Sequence, residues 1–144
     1  MGAYASIAEM MQASAAKAVG AARERFGFHL DYSEASLGPL ETILANVAAA
    51  LSLEDAQAVE YETKLWGSYL GEVARQRWGG AWELCPYPGS AFAVPAVTIR
   101  GSQLFPLIKV YRRITLGEAE EIGKYYQMVR QKLGSAQPAD GPTA

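Results

Sequence analysis

The chain has 144 residues, half of them apolar and 19% charged, which suits one domain with its own core and is too apolar for a disordered chain. A formal net charge of −2 and a sequence pI of about 5.4 argue against a nucleic-acid coat. One cysteine (Cys85) and one histidine (His29) exclude an intrachain disulfide and leave too few ligands for a Cys/His zinc site. No stretch approaches the roughly 20 continuous apolar residues that cross a bilayer. The first twenty residues carry Glu9 and lack an early basic region, unlike an export signal, so the expected compartment is the cytoplasm.

Residues 4–26 read as a helix of about 35 Å, with Ile7, Met10, Met11, Ala18 and Ala21 on one face and Ser14 in the stripe. Beyond Met11 this face is mostly alanine and serine, so it needs close packing to hold. The alternatives are a loosely attached arm spanning 1–27, or a surface through which two copies of the chain associate. Gly27 is placed to end it. After an extended link, Ser33 or Gly38 can cap a second helix reaching about Leu51, with Pro39 favouring the later start and Leu40, Ile43, Leu44, Val47 and Leu51 as its stripe. Ser52-Leu-Glu-Asp55 has the form of an N-terminus for a third helix, which carries Val59, Trp66, Leu70 and Val73 inward and stops at Gly79-Gly80.

The middle changes period. Residues 81–85 read as a strand, 86–90 as a turn, 91–94 and 96–100 as two short strands split by Pro95, and 103–105 as another. Residues 106–114 fit a helix opened by Pro106, with Leu107, Val110, Tyr111 and Ile114 inward, although their β-branched content would also suit a strand. Thr115-Leu-Gly-Glu118 has capping-box form for a last helix ending near Leu133. Its inward residues are Ile122, Tyr125, Tyr126, Val129 and Leu133. The tail, 134–144, has the composition of a disordered segment. The expected fold is therefore α+β, mainly helical, with a small antiparallel sheet of three to four strands between N-terminal helices and a C-terminal helix, the compact part spanning 28–133.

Charge is unevenly spread. From residue 31 to residue 62 there are seven acids (Asp31, Glu34, Glu41, Glu54, Asp55, Glu60, Glu62) and no Lys or Arg. From 75 to 113, Arg75, Arg77, Arg100, Lys109, Arg112 and Arg113 face Glu83 alone. Either the two runs pair with each other, or they form a dipolar surface that steers a charged partner. Gly67 and Gly71 share a helix face, a packing signal, since each glycine costs about 1 kcal/mol against alanine. Glu72 is either a surface carboxylate in contact with Arg75 or a half-buried one that anchors the sheet or a ligand, in a pocket lined by Trp66, Tyr69 and Trp82. Glu62 and Glu72 lie roughly 15 Å apart along the helix, too far for a hydrolase pair.

His29, Asp31 and Ser33 do not make a convincing triad, and Cys85 reads as a structural thiol. No P-loop, GxGxxG or HExxH motif is present, so no cofactor is expected. Arg100, Lys109, Arg112 and Arg113, interleaved with Trp78, Trp82, Phe105 and Tyr111, are a candidate basic aromatic patch for nucleic acid. The acidic first half weighs against it.

At LDYSEASL (30–37), WGSYLGEVARQRWGGAW (66–82) and FPLIKVYRRITLG (105–117) the chain resembles a family of small uncharacterised bacterial proteins with the pattern LDYS, GxYxGEV, GGxW and PxxKVxKR. Arg112 stands where that pattern has lysine. Proteins of this kind often resemble the cytosolic immunity proteins that bind and block secreted antibacterial toxins. The absence of a complete catalytic constellation, taken with that likeness, leads to the expectation of a non-enzymatic binding protein, with the 31–62 acids meeting a basic toxin. A small-molecule or regulatory domain is the alternative.

Overall fold

Residues 65–74 of one helix are buried on every side, and the other elements pack around them. A computed structural model describes residues 6–135. Its elements are α1 (Ile7–Ala21), α2 (Leu37–Ala50), α3 (Ala56–Trp78), β1 (Ala81–Pro86), β2 (Ala93–Ile99), β3 (Ser102–Leu104), α4 (Pro106–Leu116) and α5 (Ile122–Ser135). The result is a mainly helical α+β fold with a three-stranded antiparallel sheet in the order β1-β2-β3. Among the described residues no helix is long and apolar enough to cross a membrane.

The N-terminal helix is no arm. Met11, Ala18 and Ala22 are buried in the same core as Leu133 and Ala15 is also fully buried, and the Ser14 hydroxyl donates to the Lys64 carbonyl on α3 (3.3 Å). Alanine and serine allow this because a face without bulk lets two helix backbones approach closely. That face is covered within the chain and is not free for a second copy. A wider π-type turn, Ala22–Phe26, continues α1 until Gly27 at φ +76° ends it. The tail from 136 onward lies outside the described residues.

Ser33 caps a short 3₁₀ turn (Glu34–Ser36) that leads straight into α2, so Pro39 sits in the first turn, where its missing N–H costs nothing. Ser52 does not cap α3. Its hydroxyl accepts the Glu54 N–H, and the resulting turn delivers Asp55, whose carboxylate accepts the Ala58 N–H at 3.1 Å. Thr115 is not a cap either. It lies inside α4 and donates back to the Tyr111 carbonyl (2.8 Å), because the helix continues to Leu116 before Gly117 breaks it at φ +99°.

Pro95 does not split two strands. It lies within β2 opposite Leu84, and β3 pairs only with residues 97–99. The missing donor therefore falls where β2 has no second neighbour. Arg100 and Gly101, both at positive φ, form the two-residue turn into β3.

The two helix glycines do what their spacing suggests. A side chain at Gly67 would come within 2.8 Å of the Leu107 backbone on α4, and one at Gly71 would overlap the Trp82 ring. Both mark places where a neighbour presses on α3.

Candidate functional site

The four side chains expected to line a pocket are packed solid. Trp66 and Tyr69 are fully buried, Trp82 is 4% exposed and Glu72 is 3% exposed. Glu72 is the polar centre of this part of the core. One of its oxygens accepts Arg75 Nε (2.7 Å) and Trp82 Nε1 (2.8 Å), and the other accepts Arg75 Nη2 (2.9 Å) and Gln76 Nε2 (3.3 Å). Burial pushes its pKa up, but the bonds from Arg75 and Trp82 outweigh that and hold it below the ordinary carboxylate value. With four donors satisfied, it ties β1 to α3 and has no capacity left for a ligand. The anchoring role is the one observed.

Tyr69 is similarly committed. Its hydroxyl accepts the Tyr32 N–H (2.7 Å) and lies 2.7 Å from Ser36 Oγ. Ser36 already donates to the Ser33 carbonyl (2.6 Å), so Tyr69 is the donor between them. The Tyr32 ring stacks on Tyr69 at 5.0 Å. Together these contacts hold Tyr32 at φ +68°, a strained conformation for an aromatic residue.

Most of the 31–62 acids also have work inside the molecule. Asp31 accepts from both the amide and the hydroxyl of Ser33, which lower its pKa. Glu34 accepts from Tyr126 and pairs with Arg77. Glu41 pairs with the buried Arg113 and accepts the Ile122 N–H at the start of α5. Asp55 is the α3 cap, and Glu62 holds Trp66 Nε1 and Arg25. Acidic and basic runs therefore meet each other at two places, Glu34 with Arg77 and Glu41 with Arg113. Only Glu54 and Glu60 keep exposed carboxylates with no side-chain partner among the described residues.

The basic aromatic patch is dispersed. Arg113 and Trp82 are buried, Trp78 packs at a tilt against Tyr126, Arg100 holds the Leu133 carbonyl, and Lys109 and Arg112 share Glu120. His29 lies beside Arg23 while Ser33 bonds Asp31, so the three do not line up. Cys85 is a buried free thiol. Among the described residues no group of three His, Cys, Asp or Glu is placed to hold a metal ion.

Glu120 is held down to about 2 by hydrogen bonds from Arg112 and Lys109. A carboxylate depressed in the folded state contributes stability that is complete above its ordinary value near 4.5 and is lost as pH falls toward the folded value. Glu72 acts in the same direction. Thermal midpoints measured from pH 7 to pH 2 should therefore begin to fall near pH 4.5 and continue toward pH 2. An unchanged midpoint at pH 3 would contradict this assignment.

Two open grooves flank α4. The first, about 560 Å³, lies between the start of α3, β2 and α4. Leu53, Val59, Pro95, Leu107 and Tyr111 form its apolar surface, and no Lys or Arg lines it. Leu53 is 53% and Tyr111 48% exposed. Leu84, paired directly across from Pro95, is 59% exposed and extends the apolar surface. Glu60 lines the groove, and Glu54 follows Leu53 in the sequence. The second groove, about 580 Å³, lies between β3, α4 and α5.

Sequence reasoning missed the first groove because it placed Tyr111 inward. In α4 the structure buries Arg113 and exposes Tyr111, the reverse of what their side-chain chemistry suggests, so the sequence carried no signal for this groove. Comparison with family models, curated proteins and solved structures gives no significant match in any of the three.

Proposed function

We propose that this chain is a non-enzymatic binding protein that acts by direct contact with a protein partner. Its docking surface is the groove between α3, β2 and α4. The observation that carries this reading is an apolar groove with half-exposed Leu53 and Tyr111 and, among the described residues, Glu60 as its one charged lining residue. Apolar surface rimmed by polar residues is a common mark of an interaction site. The acidic charge selects a segment with apolar anchors and flanking cations. A toxin with a basic surface, neutralised by an immunity-type protein, fits that chemistry. The acidic contact then reduces to Glu54 and Glu60, since Asp31, Glu34, Glu41, Asp55 and Glu62 serve the fold.

The test is co-expression with a toxin encoded beside this gene. Wild-type protein should protect the cells, and Leu53→Asp with Tyr111→Asp should abolish protection while leaving the thermal midpoint near wild type. Undiminished protection by the double variant, or no complex between the purified pair, would overturn the reading. A small apolar ligand is the second reading, favoured by a volume within the range of small-molecule sites. Its signature is a thermal shift with a metabolite that the same double variant removes.

A further inference from the structure

The second groove has the opposite charge. It is walled by α4 on one side and α5 on the other, with β3 closing one end. Its apolar lining includes Leu104, Phe105, Ile108, Tyr125 and Met128, and Met128 is 69% exposed. Burial raises the Tyr125 pKa to about 12, so its ring stays neutral, and Lys109 Nζ lies 5.6 Å from the ring centroid. Four cations line the groove, Lys109, Arg112, Lys124 and Lys132, against Glu120 and Glu121.

These cations are not equivalent. Lys109 and Arg112 are both spent on Glu120, at 2.9 and 3.1 Å. Lys124 and Lys132 are exposed and form no ion pair or hydrogen bond among the described residues. They lie eight positions apart on α5, about 12 Å along the helix. Lys124 is near the Glu120 end, and Lys132 is a further two turns along α5. A small anion with a single head group would meet only one of them. An amphipathic helix with acidic residues about two turns apart, and an apolar face between them, would meet both and cover the apolar lining. The exposed Met128, midway in sequence between the two lysines, is a side chain that adapts to what is laid on it.

We propose that the groove between α4 and α5 is a docking site for an acidic amphipathic helix of a partner protein, clamped between Lys124 and Lys132 over Ile108 and Met128. This surface is separate from the Glu60-lined groove of the proposed function and shares only Ile108 with it. Its occupant has the opposite charge, so one protein could bridge a basic and an acidic partner.

The probe is a fluorescein-labelled helical peptide of about 16 residues, with leucines on one face and glutamates spaced eight apart beside them. Fluorescence anisotropy should show saturable binding that weakens as salt rises. Lys124→Glu with Lys132→Glu should weaken it by about 30-fold, the product of two modest charge contacts. Lys17→Glu with Lys64→Glu, which changes net charge equally on another exposed surface, should leave it unaltered. All variants should keep the wild-type far-UV spectrum. Equal affinity for a peptide with lysine in place of each glutamate, or wild-type affinity in the Lys124/Lys132 variant, would overturn the proposal. Either result leaves the toxin-binding reading untouched, because that reading is scored through Leu53 and Tyr111.

Discussion

Glu41→Ala should destabilise the protein by about 3–5 kcal/mol, the range for removing one partner of a buried ion pair. The reason is the asymmetry of the pair. The Arg113 side chain is 3% exposed and that of Glu41 is 27% exposed, so the substitution leaves a largely buried cation without its ion-pair partner. It also removes the acceptor for the Ile122 N–H, leaving the first turn of α5 without that bond. Arg113→Met should cost far less, about 1 kcal/mol or nothing, because it leaves a carboxylate that water can reach and fills the site with an apolar chain of similar length. Urea denaturation of the two variants gives the comparison. Equal losses, or a smaller loss for Glu41→Ala, would show that the pair does not carry charge burial as described.

Gly71→Ala is the second large effect. The added methyl would overlap the Trp82 ring and come within 3.0 Å of Pro106. Trp82 cannot retreat freely, because its Nε1 donates to the buried Glu72 at 2.8 Å. Overpacking of this kind costs about 1–3 kcal/mol, and its upper end should apply, exceeding the roughly 1 kcal/mol that alanine gains over glycine in a helix. Gly20→Ala has nothing within 4 Å of the new methyl and should be neutral or stabilising by up to about 1 kcal/mol. Stabilisation by Gly71→Ala in the same denaturation assay would refute the close packing of Trp82 on α3.

Much of the scaffold was legible because apolar periodicity survives in it. Leu40, Ile43, Leu44 and Val47 mark α2, and Ile122, Tyr126, Val129 and Leu133 mark α5, each set at helical spacing and each buried. Pro106 started α4 as its fixed φ suggests. What sequence could not supply was the partner of each polar group. Glu72 reads equally as a surface carboxylate paired with Arg75 or as a half-buried anchor, and only β1, which brings Trp82 against it, decides between them. Glu41 reads as a surface charge until Arg113, 72 positions away, turns inward. The error at the candidate site has the same origin. Trp66, Tyr69 and Trp82 have the chemistry of a binding pocket, yet large side chains fill space as readily as they line it. Whether they do so depends on contacts that no local pattern records.

The central helix also constrains how this molecule can change. Residues 65–74 have no solvent face, so a new contact cannot be written there without disturbing the core. Latitude for specialisation lies at the exposed start of α3 and on the outer surfaces of α4 and α5. Substitutions there change the outer surface while the framework beneath stays constant.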